Sequence, residues 1–116
     1  MNKELKTIFT DFKVNKKSIP AEHLRYKGKS KTFVTWTLLP ESPSLNGDDE
    51  CLYSVAEVDI DVFSDGNYLD IIKEVKKIMK ENKWLWVEDS EEMFEEDTEL
   101  YHKTITFKKE RFIDNG

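Results

Sequence analysis

The chain has 116 residues, of which 38% are hydrophobic and 36% charged, with a net charge of −6. That length fits one domain spanning 1–116, and seven Phe, four Tyr and three Trp supply core side chains enough to fold without disulfides or a metal. The acidic balance argues against general nucleic-acid binding, the lone Cys51 excludes an internal disulfide and favours an intracellular compartment, and no apolar run approaches the ~18 residues of a membrane span. Met1-Asn-Lys-Glu-Leu-Lys also lacks the apolar core of a signal peptide, so the expectation is a protein made in the cytoplasm.

In chain order, Met1 to Val14 reads as a helix, because Leu5, Ile8, Phe9 and Phe12 recur at helical spacing on one stripe. Lys16 to Lys31 is basic, interrupted by Pro20 and Gly28, and reads as a connection. Thr32 to Leu39 is rich in β-branched and aromatic residues and predicts a strand, which Pro40 ends. Glu41 to Glu50 reads as a polar loop. Leu52 to Phe63 alternates apolar and polar residues and predicts a long strand with one face on the core. Asn67 suits a helix N-cap, with Asp70 in the capping-box position. Tyr68 to Glu81 then predicts an amphipathic helix, with Asn82 able to take the left-handed end. Lys83 to Val87 predicts a short strand with Trp84 and Trp86 on one side. An acidic loop, Glu88 to Glu99, and a last strand, Tyr101 to Phe107, follow, with a frayed tail over 111–116. The predicted class is α+β, in the order α-β-β-α-β-β: a mainly antiparallel four-stranded sheet with two helices packed on one face.

Charge is unevenly spread. Seven basic residues and one acid lie between Lys13 and Lys31, whereas eight acids and no base lie between Glu88 and Glu99. Both runs fit solvated loops, or a basic edge that meets the acidic edge of another copy. For a self-contact the candidates are Lys27, Lys29 and Lys31 on one side and Glu91, Glu92, Glu95 and Glu96 on the other. Met93 and Phe94 serve as apolar anchors unless they tuck onto their own core. Glu57, Asp59 and Asp61 share one side of a strand; they fit the polar face of a half-buried strand, or an oxygen-ligand row that would still need converging partners. Asp48-Asp49-Glu50 lacks the pattern of a calcium loop, and Ser64-Asp-Gly-Asn67 lacks that of a phosphate loop. Cys51, His23 and His102 have no spacing that suggests nucleophilic catalysis. No catalytic, cofactor-binding or metal residue is therefore assigned, and an enzyme is not expected.

With its two anchor strings, Val58-Asp-Ile-Asp-Val-Phe-Ser-Asp-Gly-Asn-Tyr68 and Glu96-Asp-Thr-Glu-Leu-Tyr-His-Lys103, the layout from Leu24 to Phe107 resembles the small tail-completion or tail-terminator proteins of long-tailed phages and prophages of Gram-positive bacteria. The Trp84-Leu-Trp86 strand and the long acidic run depart from that pattern. The resemblance implies a structural protein that forms a ring of about six copies on the last ring of tail-tube protein and joins it to a head–neck connector protein. It implies a place in the virion tail, no membrane, and DNA only in passage. If Glu57, Asp59 and Asp61 faced such a channel, their charge would keep DNA from sticking. The alternative class is a cytoplasmic acidic module that binds or regulates a basic protein.

Overall fold

The structure, a computed structural model, describes residues 2–40, 42–45, 51–66 and 68–112. It is α+β. Two helices, α1 (Asn2–Ile8) and α2 (Leu69–Glu81), pack with the inward face of a seven-stranded sheet, and a separate two-stranded hairpin lies beside them. The strands are β1 (Lys13–Val14), β2 (Lys17–Ser18), β3 (Ala21–His23), β4 (Phe33–Leu38), β5 (Ser42–Leu45), β6 (Cys51–Ser64), β7 (Leu85–Asp89), β8 (Met93–Glu95) and β9 (Leu100–Phe112).

The four-strand expectation is too small: the segments read as connections carry β2 with β3, β5 and β8, and the end of the segment read as the first helix carries β1. β1 and β2 form a hairpin across Asn15 and Lys16, both left-handed at φ 53° and 66°. That is the geometry of a tight two-residue hairpin turn, for which Asn is well suited and Lys is not. β3 runs parallel to β4, and β5 pairs with the first part of β6 where a polar loop is expected. Glu41 and residues 46–50 of that loop lie outside the described residues. The first helix stops at Ile8 rather than Val14. Asp11 turns left-handed at φ 55°, yet Phe9 and Phe12 remain buried.

Two long strands, β6 with 14 residues and β9 with 13, pair antiparallel from Tyr53↔Phe112 to Ser64↔Tyr101. β9 thus continues through the expected frayed end to Phe112, while 113–116 lie outside the described residues. β4 and β5 flank β6 in succession, and β7 and β8 flank β9 in the same way. The order across the sheet is β3-β4-β6-β9-β7. Alternation divides the faces. Val34, Trp36, Ala56, Val58, Ile60, Val62, Ile105 and Phe107 point inward with Leu5 of α1 and Ile71, Ile72, Val75 and Met79 of α2.

The expected Asn67 cap is not the observed one. Helix α2 begins at Leu69, its N-cap is Tyr68 without a side-chain cap, and Asn67 itself lies outside the described residues. Asp70 instead accepts a hydrogen bond from Asn15 Nδ2 at 2.9 Å, tying α2 to the β1–β2 turn. At the other end Asn82 is not left-handed (φ −99°); Lys83 is, at φ 71°. Trp84 N–H donates to the Met79 carbonyl at 2.9 Å and Lys83 N–H to that of Lys80 at 3.0 Å, the paired bonds of a Schellman ending. Glycine fits that left-handed site and lysine strains it. Lys83→Gly is expected to stabilise the fold by about 0.5–1 kcal/mol, read as a higher urea midpoint at unchanged m-value.

The Lys83 reversal also separates the two tryptophans expected on one side. Trp84 falls before β7 and is 1% exposed, whereas Trp86 within β7 is 57% exposed.

Candidate self-assembly surface

The two margins of the sheet differ in charge and in apolar exposure. β3 lies at one margin and β7 with β8 at the other. The segment leaving β3 carries Arg25, Lys27, Lys29 and Lys31, all exposed, beside an exposed Leu24 whose backbone is left-handed at φ 67°. The β7–β8 margin carries the exposed acids Glu88, Glu91, Glu92 and Glu96. It also exposes Leu85, Trp86, Val87, Met93 and Phe94. Single exposed apolar residues are ordinary; five along one margin make it a candidate interaction surface.

The expected acidic loop is a pinned edge. Asp89 accepts from Lys76 Nζ at 3.0 Å and from Trp86 Nε1 at 2.7 Å, and Lys103 Nζ lies 3.5 Å from it. Partial burial pulls its pKa up, but the Lys76 and Trp86 hydrogen bonds and the two lysine charges outweigh that and hold it below the ordinary 3.8. A lowered folded value means the contribution is present above pH 3.8 and is lost as pH falls through that lowered value. Lys76 Nζ also sits 4.8 Å from the centre of the Trp86 ring, so this exposed indole is held from two sides. Further along, burial raises the Tyr68 phenol and a hydrogen bond with Glu92 raises it more. His102 Nδ1 lies 3.5 Å from Glu95. Phe94 leans on Tyr101, with ring centroids 5.1 Å apart, yet stays 51% exposed; Met93 is 43% exposed. Neither has retreated into the core.

Glu57, Asp59 and Asp61 project from β6 on the face opposite the helices, each half-buried. Cross-strand groups on β9 engage them. Thr106 donates to Asp59 at 2.7 Å. Thr104 donates to Asp61 at 2.5 Å, and His102 Nε2 lies 2.9 Å from the same carboxylate. Glu57 stands opposite Lys108 in register. A stacked aromatic row (Tyr26, Phe33, Phe63, His102) crosses the same face at centroid spacings of 4.6, 4.7 and 4.2 Å. These ladders order the open face without a helix over it. Among the described residues no three His, Cys, Asp or Glu side chains come together as metal ligands.

An open cleft of about 510 Å³ lies between the β1–β2 hairpin and the start of α2, lined by Lys17, Lys31, Ser64, Asp65 and Asp70 among others. Its two lysines face two aspartates, so it has no net sign with which to select an ion.

Of the residues singled out from sequence, the structure brings Glu91, Glu92, Met93, Phe94, Glu95 and Glu96 to one margin. Lys27, Lys29 and Lys31 follow the strand at the other. Leu85, Trp86 and Val87 were missed as part of the surface. Their alternation gives no hint that the strand is an edge with nothing described beyond it. The chain matches no protein-family model and no curated protein.

Proposed function

We propose that this protein is a structural component of a phage or prophage tail, which caps the tail tube as a ring of about six copies and joins it to the head–neck connector. The observation that carries this is an uneven charge: a basic segment that leaves β3, and an acidic margin with exposed apolar anchors at β7–β8. Margins that differ in this way favour head-to-tail contacts, and head-to-tail contacts close into rings when the rotation per copy permits. The acidic stripe Glu57, Asp59 and Asp61 suits the wall of a channel that DNA crosses without sticking. No step in this role is chemical.

Native mass spectrometry over a concentration series, with negative-stain images of the most concentrated sample, tests the proposal. Rings of about six copies are the expected result. A protein that stays monomeric throughout, yet binds a basic protein through its acidic margin, would instead make it a cytoplasmic binding module. The exposed acids at β7–β8 are what favour that second reading.

A further inference from the structure

We propose that neighbouring copies join by sheet continuation, the β7–β8 edge of one copy pairing antiparallel with the β3 edge of the next. This rests on the ring proposed above and names its contact. The occupant of each edge is a second copy of this chain, and three observations select it. The first is strand direction. β3 is parallel to β4, and each further neighbour across the sheet (β6, β9, β7) reverses, so β3 and β7 run in opposite senses. Copies related by rotation about an axis along the strands therefore present edges that match as an antiparallel pair. The second is charge: Lys27, Lys29 and Lys31 would face Glu88, Glu91 and Glu96, all exposed in the single copy. The third is apolar matter on both edges. Leu24 stands exposed beside β3, and Trp86 and Phe94 stand exposed on β7 and β8. Trp86 is already fixed by Asp89 and Lys76, so burying it costs little side-chain freedom. Edge strands that stay solitary usually carry charge or irregularity that blunts pairing; β7 has both in its second half, a register shift between Trp86 and Glu88 and the acids Glu88 and Asp89, yet it still exposes three consecutive apolar residues, Leu85 to Val87. Joined this way, every copy turns the same sheet face inward.

A charge-swap pair tests it. One variant carries Lys27→Glu, Lys29→Glu and Lys31→Glu, making both its margins acidic. The other carries Glu88→Lys, Glu91→Lys and Glu96→Lys, which sets lysines opposite the three lysines of the next copy and takes the Glu88–Glu99 run from a formal −8 to −2. All six positions are exposed, so each variant is expected to fold, which circular dichroism checks. Alone, each should associate at least about tenfold more weakly than the wild type. Mixed in equal amounts they should recover assembly, with the two variants in equal number in every complex. Wild-type strength in either variant alone, or a mixture that does not recover, overturns the edge pairing. If wild-type rings form meanwhile, the ring role survives and only the contact is wrong. A wild type and a mixture that both stay monomeric also overturn the pairing, whereas a cap templated by the tube survives that result.

Discussion

Phe94→Asp is expected to leave the monomer folded and to weaken the proposed assembly at least about thirtyfold. The side chain is 51% exposed and, among the described residues, its aromatic neighbour is Tyr101 across the β8–β9 pair, so little of the core depends on it. Loss of that edge contact should cost the monomer about 1 kcal/mol or less. In an interface the same change removes a large apolar anchor and buries a carboxylate among Glu91, Glu92 and Glu96, which adds repulsion. An anchor of this type contributes about 2 kcal/mol or more, so association should weaken at least about thirtyfold. Thermal melts followed by circular dichroism check the first half, and sedimentation velocity checks the second. An unfolded variant would show that Phe94 holds the β8 hairpin together. Unchanged sedimentation would remove β8 from the interface.

Trp84→Ala should be severely destabilising. The side chain is 1% exposed and belongs to the cluster formed by both helices and the sheet. Its Nε1–H donates to Glu4 Oε2 at 2.8 Å, and Glu4 also meets Lys109 Nζ at 3.2 Å. The indole therefore ties α1 to the end of α2 and to β9. Truncation removes one of two buried tryptophan side chains among the described residues and leaves a cavity, at a cost of about 3–5 kcal/mol. Against a total stability of about 5–15 kcal/mol for a domain, that is enough to bring the urea midpoint close to zero if this protein lies at the low end. Trp84→Phe should lose less, since it keeps most of the ring volume and the Glu4–Lys109 pair. Equal loss in both variants would place the cost in the Glu4 hydrogen bond. Trp86→Ala, two residues on, should barely move the midpoint.

The contrast between those tryptophans shows how far the sequence could be read. The β6 alternation and the α2 stripe were legible because each rests on a period that burial imposes directly. The Val58-to-Val62 row and the Ile71, Ile72, Val75, Met79 row both face the core. The β1–β2 hairpin, β3 and β5 were not, since two to four residues are too short to show a period. The first helix is shorter than its apolar stripe because Phe9 N–H still bonds to the Leu5 carbonyl, but the chain then tightens to three-residue turns and reverses at the left-handed Asp11, which keeps Phe12 buried outside the helix. Trp84 was paired with Trp86 because nothing in Asn82-Lys83 announces that lysine, rather than asparagine, adopts the left-handed state. The acidic run concealed β8, because carboxylates read as solvated whether they lie in a loop or along an edge. The candidate surface was legible in its charges and in Met93 and Phe94. It was not legible in its geometry, because which strands lie at the margins depends on pairings between residues far apart in the chain.

β9 sits between β6 and the β7–β8 edge although it follows both in sequence. A chain that emerges in order can therefore form the β4–β6 hairpin and α2 early, but it has to hold a gap open where the centre of the sheet will be. Until Leu100–Phe112 inserts there, Val58 and Ile60 lack their partners Phe107 and Ile105, and the β7–β8 edge has nothing to stand on. The proposed joining surface thus comes into being only with the final insertion. A half-made chain cannot present it, so nascent copies cannot join through that margin.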